Sequence, residues 1–511
     1  MKSKKTLLFA SRFVIIFLAI AMQVAIVWAL FVALGEKFVW ASWVFTFVGV
    51  LAFFLIVNNE RPAVYKLPWV ILIVAVPLVG IVVFYTFGNV KLGKKQMKKF
   101  RKIYDESHDE YYRQTEVLSE MEKQKSKGLG TVKYLRNTTS LPVFSNSKTT
   151  FLPTGEEFYQ SLLQEIEKAN EFVFLEYFIV EEGEMLKGVL NAVEKAVRRG
   201  VKVYFMYDDV GSIAKVPSSF DKTLAKKGVN AKKFFKFLPI VSVIHNNRDH
   251  RKIAVIDGKV GFMSGANIAD EYINLKSPFG RWRDNALKIE GQATDSLVRL
   301  FIQLYNATSD EQLNEELFIC ANHENFSGGF VFPFGDSPSP IDKDRITESV
   351  YLDVISRSEK YLYITTPYLV VDTNILDALK LAAKRGVDVR IIIPQIPDKK
   401  AVYILTKSAC RNLQKAGVKI YAFKDGFIHS KTVLSDGEIA VVGTANFDFR
   451  SFVHHFECVT LLCNTPSIND IYSDFLLLFE NQTISLSEKD LMLKGREKPI
   501  KAIINILAPL M

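Results

Sequence analysis

The feature that most constrains this chain is a spacing that occurs twice. His250, Lys252, Asp257 and Asn267 stand at 0, +2, +7 and +17, and His429, Lys431, Asp436 and Asn446 stand at the same offsets. A Gly at +8 and an Ala at +16 match as well. One His-x-Lys pair is unremarkable on a strand, but a duplicated set of chemically active side chains requires two structurally equivalent units. Successive side chains of a strand alternate between faces, so His at 0 and Lys at +2 point the same way and can act on one ligand.

The surroundings of the motif repeat too. The apolar, aromatic run 172–180 predicts a strand, followed by an amphipathic helix over 185–199 and a strand over 201–207. The second copy has a strand over 361–371, a helix over 374–385 and a strand over 387–393, and the turn Arg199-Gly200-Val201 corresponds to Arg385-Gly386-Val387. Each copy then runs a strand, 253–256 or 432–434, into the turn dipeptide Asp257-Gly258 or Asp436-Gly437. This alternation predicts an α/β fold: two α/β sandwich halves, 131–325 and 326–485, packed about a pseudo-twofold axis.

Ahead of the repeat the composition changes. Residues 13–34, 38–57 and 67–87 contain no charged side chain, and about twenty apolar residues suffice to cross a bilayer. Residues 1–90 therefore read as a transmembrane region with three spans, and the chain as a multi-pass protein of the cell membrane. A basic run follows directly, Lys91, Lys94, Lys95, Lys98, Lys99, Arg101 and Lys102, inside a charged helical linker over 91–130. The net charge of +10 is thereby better explained by anionic lipid, or by an ordinary topology signal, than by nucleic acid. The same cluster argues for a catalytic body on the cytoplasmic side. The segment 486–511 is amphipathic. Cys320, Cys410, Cys458 and Cys463 show no CxxC pair and no metal-ligand spacing, so free thiols and no metal are expected.

The motif chemistry suits a phosphodiester. Lys252, Lys431, Asn267 and Asn446 offer fixed donors for the non-bridging oxygens. Two histidines, one neutral and one protonated, supply a nucleophile and a proton donor on opposite sides of one phosphorus. Each imidazole needs a carboxylate on its other nitrogen. Glu290 and Glu457, each downstream of its own motif, are the candidates; pairing with Arg283 or Arg450 is the alternative. Asp257 and Asp436 open turns and are expected to shape the motif through hydrogen bonds. His245, His323, His454 and His455 receive no chemistry.

The strings HRKIAVIDGKVGFMSGANIADEY, WRDNALKIEG and HSKTVLSDGEIAVVGTANFDFRSF, with the apolar N-terminus and basic run, resemble bacterial cardiolipin synthases of the phospholipase D superfamily. The resemblance implies transfer of a phosphatidyl group between two phosphatidylglycerol molecules, giving cardiolipin and glycerol, through a phosphohistidine and with neither metal nor cofactor. Under it, Arg281 and Arg283 become candidates for the second lipid's phosphate, and Lys94, Lys95, Lys98 and Lys99 for lipid headgroups. One departure is visible. The family has Gly-Ser at +14 and +15, where this chain has Ser264-Gly265 and Gly443-Thr444. Alternatives remain: a hydrolase of phospholipase D type, or a transphosphatidylase with another donor or acceptor, using the same residues. A nuclease fits poorly with a membrane tether, a lipid-binding protein without activity fits poorly with eight intact motif side chains, and the DG-x2-AR signature of metal-dependent alcohol phosphotransferases is absent.

Overall fold

The computed structural model describes residues 29, 36–59, 63–84, 98–103, 115–139, 141–236, 247–309, 311–338, 341–342, 344–424 and 426–510. Its contacts divide the chain into Met1–Val90 and Lys91–Met511.

The first unit contains helices Glu36–Val57, Ala63–Ala75 and Pro77–Val83. The predicted span 13–34 falls outside the described residues apart from position 29, and 67–87 is not one helix. It breaks at Val76, because Pro77 has no N–H to donate and disfavours helical backbone in the residue before it. Counting only described positions, no helix is long and apolar enough to cross a membrane. Helix Glu36–Val57 nevertheless turns Trp40, Trp43, Phe47, Leu51, Phe54 and Leu55 outward.

The second unit holds both copies of the motif. In chain order the first copy supplies β1 (Ser147–Leu152), β2 (Phe172–Tyr177), β3 (Lys202–Asp208), β4 (Val229–Phe234), β5 (Arg248–Asp249), β6 (Lys252–Ile256), β7 (Val260–Ser264), β8 (Arg281–Arg283) and β9 (Ala286–Gly291). The second supplies β10 (Phe330–Asp336), β11 (Tyr361–Thr365), β12 (Leu369–Val370), β13 (Asp388–Pro394), β14 (Lys419–Phe423), β15 (Gly426–Ile428), β16 (Thr432–Ser435), β17 (Ile439–Gly443), β18 (Phe447–Asp448), β19 (His455–Cys463) and β20 (Thr483–Ser485).

The two main sheets have the same order. One runs β1-β9-β7-β6-β2-β3-β4, and the other runs β10-β19-β17-β16-β11-β13-β14 before adding β20. In both, the strand-helix-strand crossover gives parallel pairs, β2 with β3 and β11 with β13. In both, the motif gives an antiparallel hairpin, β6 with β7 and β16 with β17. The repeated Arg-Gly-Val turns do equivalent work. Gly200 and Gly386 sit at φ +91° and +94°, a region side chains disfavour, and Arg199 and Arg385 donate to backbone carbonyls at the ends of helices Gly155–Lys168 and Ile346–Arg357, which lead into β2 and β11.

One apolar core joins the halves. Phe174, Ile253, Val255, Met263 and Leu287 of the first sheet cluster with Ile364, Val433, Val441, Val459 and Leu461 of the second. The helix Thr294–Thr308 is buried along nearly its whole length, which is why its sequence is apolar on more than one face. Each sheet is covered on its other side by its own helices, so β2 and β6 are buried on both faces and read as continuous apolar runs.

Candidate active site

Both motif histidines stand just before the first strand of their hairpin, β6 or β16, at the seam between the halves, and both are buried, His250 at 6% and His429 at 8% exposure. Lys252 opens β6 and Lys431 directly precedes β16, and each ammonium donates to the carbonyl of its own histidine two residues back. Strand alternation thus places His and Lys on one side, as the spacing predicts.

The carboxylates are crossed between halves. His250 Nδ1 lies 2.9 and 3.0 Å from the two oxygens of Glu457, which belongs to the second copy. His429 Nδ1 lies 2.6 Å from Oδ2 of Asp284, which belongs to the first. Main-chain pairing forces this exchange. β5, leading into His250, pairs in parallel with the start of β19, and β15, leading into His429, pairs in parallel with β8. The His250 amide donates to the Phe456 carbonyl and the His429 amide to the Arg283 carbonyl, so each histidine is set beside the residue that follows in the other half.

The expectation that each histidine uses a carboxylate downstream of its own motif is therefore corrected. Glu457 serves His250, not His429. Glu290 reaches neither; it sits on β9 among Lys148 and Lys288, at 3.7 and 3.6 Å. Sequence reasoning missed Asp284, and strand pairing reveals it. The Gly265 amide donates to Asn285 and the Thr444 amide to Cys458, which makes Asp284 and Glu457 equivalent positions, one residue before a strand partner of the +15 residue.

The unlike +15 residues follow from the unlike carboxylates. A Cβ on Gly265 would meet Asp284 Oδ1 at 2.0 Å, so only glycine leaves room there. In the other half the Thr444 hydroxyl donates to Glu457 instead. Asn285 Nδ2 adds a bond of 2.8 Å to Thr432 across the seam.

Asp257 and Asp436 do what turn residues should. Asp257 accepts from the amides of Asn170, Glu171 and Phe172 at 2.8 to 2.9 Å, and Asp436 from those of Glu359, Lys360 and Tyr361 over the same range. Each carboxylate ties its hairpin to the start of the neighbouring strand, away from the histidines. Replacing either by Ala is expected to cost about 2–4 kcal/mol of stability, since three amides lose a charged acceptor. Thermal unfolding checks this; an unchanged melting temperature would refute it. These backbone donors and Lys127 hold Asp436 below the usual carboxylate range although burial acts the other way. Its stabilisation is complete above its unfolded pKa of about 4 and is lost as pH falls below that through the lower folded value.

Asn267 is fixed by an acceptor bond from Ile179 N–H (2.9 Å) and a donor bond to the Tyr272 hydroxyl (2.6 Å). Asn446 is buried in the other half with Oδ1 making no hydrogen bond. Of the arginines, Arg283 is buried in an ion pair with Asp474 and is not free for a second lipid, whereas Arg281 is exposed. Lys99 donates to the Ser309 carbonyl, Lys98 is exposed, and Lys94 and Lys95 lie outside the described residues.

Burial dominates the electrostatics. It pushes Lys252 down to about 7 and Lys431 to about 8, with Glu457 and Asp284 respectively acting in the opposite direction. Burial, then the lysines, pushes His429 to about 4 and His250 well below its ordinary value. Burial alone would raise Asp284, but His429 and Lys431 hold it below the normal range. Both shifts favour the neutral form of the imidazole, where one neutral and one protonated histidine are expected from the sequence. An arriving phosphodiester anion offsets the lysines and lets one imidazole take a proton. With Nδ1 of each ring committed to a carboxylate, Nε2 is the reactive nitrogen.

Known proteins share the sequence and the fold of this chain. Residues 162–298 and 351–478 match the family described as cardiolipin synthase, PLD-like domain. The chain is 36% identical over 460 residues to an uncharacterized protein of Streptococcus mutans, covering 89% of this chain and 98% of that one. It is 36% identical over 436 residues to a cardiolipin synthase of Geobacillus sp. (strain WCH70), covering 83% and 84%. The crystal structure of a phosphatidylserine synthase from Haemophilus influenzae shares the fold, with a TM-score of 0.57 at 15% identity, over 75% of this chain and 97% of that one. With matches over both halves and most of its length, the chain belongs to the cardiolipin synthase family built on the phospholipase D-like domain.

Proposed function

We propose that the chain is a membrane-associated cardiolipin synthase that moves a phosphatidyl group from one phosphatidylglycerol to the glycerol hydroxyl of another. The observation that carries this reading is the pair of crossed His-carboxylate dyads, each beside its own buried lysine. Nε2 of one histidine attacks phosphorus, and the other histidine protonates the departing glycerol oxygen. A phosphohistidine results. The second histidine then takes the proton from the incoming glycerol hydroxyl, whose oxygen attacks phosphorus and frees the first. Lys252, Lys431, Asn267 and Asn446 carry the charge on the non-bridging oxygens. Which histidine attacks is left to experiment.

A membrane location is supported by the uncharged runs at 38–57 and 67–87 and by the exposed tryptophans and phenylalanines of helix Glu36–Val57. The domain limits 91–130, 131–325, 326–485 and 486–511 are likewise proposed, with helix Glu497–Leu507 of the last exposing Ile500, Ile503 and Leu507.

Purified protein given phosphatidylglycerol in mixed micelles should form cardiolipin and free glycerol, with or without a strong chelator. Phosphatidic acid as the main product would make it a hydrolase instead. In the same assay kcat/KM should fall as pH rises from about 7 to about 8 and beyond, because Lys252 and Lys431 lose the protons that attract the phosphate. A profile that keeps rising through this window would refute that role.

A further inference from the structure

We propose that His250, His455 and Glu457 form a binding site for a transition-metal dication of the Zn2+ class, and that filling it switches the enzyme off. His455 opens β19, two residues before Glu457, and the transfer proposed above assigns it no step. Its ring lies against that of His250, with centroids 5.1 Å apart. The residue is only 6% exposed, yet its Nε2 makes no hydrogen bond and its Nδ1 has only a long contact to Glu457. Buried imidazoles ordinarily find closer partners, so these nitrogens beside a carboxylate are placed to take a ligand.

The spacing fits a metal. One ligating atom from each residue can be chosen so that all three lie within 4.8 Å of one another. Nδ1 of His250 is 3.0 Å and Nδ1 of His455 is 3.6 Å from the same oxygen, Glu457 Oε1. Tetrahedral zinc with bonds of about 2.0–2.2 Å sets its ligand atoms about 3.3–3.5 Å apart, between those two values. Two imidazoles and one carboxylate are also a donor set that zinc favours, with the fourth position open to water or phosphate oxygen. Lys252, Lys431, Lys399 and Arg450 surround the two imidazoles and oppose a dication. Glu457 is the one carboxylate in the set, so binding weaker than at a structural zinc site is expected.

The consequence for His250 follows from proton placement. Without metal, Nδ1–H donates to Glu457 and the Nε2 lone pair is available to attack phosphorus or accept a proton. For a metal to bind Nδ1, the proton there moves through solvent to Nε2, and the lone pair freed on Nδ1 goes to the metal. The ring stays neutral and no redox change occurs, but Nε2 is now an N–H and can neither attack nor accept. The loss of turnover thus rests on the reading of His250 as a reactive imidazole; metal binding does not.

The test is a Zn2+ titration of the full chain in phosphatidylglycerol micelles after chelator treatment, reading cardiolipin formation and bound zinc together. The expected result is about one zinc per chain, a fall in turnover of about tenfold or more, and recovery with excess chelator. His455→Phe should keep turnover without metal within about threefold, and should need about tenfold more zinc for half-inhibition. Retention of no zinc, or equal zinc sensitivity in the variant, would overturn the proposal. Should His455→Phe lack turnover altogether, the unaltered chain loaded with Co2+ decides: intense tetrahedral visible bands support the site, and a pale octahedral spectrum removes it. If the chain binds zinc tightly at this site and yet shows no transferase activity even without metal, the proposed function fails and the site stands.

Discussion

Replacing His250 or His429 by Ala is expected to lower cardiolipin formation by about 10⁴-fold or more, because each variant removes a partner that acts at the same phosphorus. The two variants should differ in what they accumulate. Lacking the nucleophile, the chain cannot form a covalent adduct. Lacking only the proton donor, it can still form one with a substrate carrying a good leaving group, and the acid-labile phosphoryl label then sits on the remaining histidine. Mass spectrometry of the trapped protein therefore assigns the nucleophile directly. A label on neither histidine, with both variants folded, would remove the phosphohistidine from the mechanism, and retention of more than about a tenth of the activity in either would remove that histidine from it.

The second large effect concerns the crossed carboxylates. Glu457→Gln and Asp284→Asn should each reduce turnover by about 10²–10⁴-fold, because an amide neither orients the imidazole tautomer nor balances the imidazolium that forms. The informative readout is which histidine suffers. Carbethoxylation of the folded protein, mapped by mass spectrometry, should slow at His250 but not His429 in Glu457→Gln, and the reverse in Asp284→Asn. A pattern in which each carboxylate affects the histidine of its own half would contradict the geometry. Glu290→Gln, remote from both histidines, should change turnover by less than about threefold.

The burial of the site explains why its parts respond together. His250 and His429 lie among Phe178, Tyr272, Trp282 and Phe427, with ring centroids 5.1 to 5.9 Å away. Such walls exclude water and strengthen every charge interaction inside. They also keep the lysines close to losing their protons, so the charge available to the phosphodiester depends on pH over the range in which the enzyme would work.

Local chemistry was legible wherever the needed information is short-range. His and Lys two apart on a strand share a face whatever surrounds them, and Asp-Gly can form a tight hairpin because glycine accepts a left-handed backbone and Asp tolerates it. Asp257 and Asp436 take φ of +52° and +55°, and Gly258 and Gly437 take +64° and +72°. The repeated strand-helix-strand units and the buried apolar strands follow for the same reason. The reading of 67–87 as one span rests on its uncharged composition alone and takes no account of Pro77, where the helix breaks.

The sequence by itself determined that two equivalent half-sites exist, that the His and Lys of each share one side, and where each hairpin turns. Only the tertiary structure decided which carboxylate serves which histidine, that Arg283 belongs to Asp474, and that His455 lies against His250. Those choices depend on β5 pairing with β19 and β15 with β8, contacts between segments about 200 and 145 residues apart. The protonation of the cleft is equally a property of the assembled halves, since it is their joint burial that removes water from two histidines and two lysines at once.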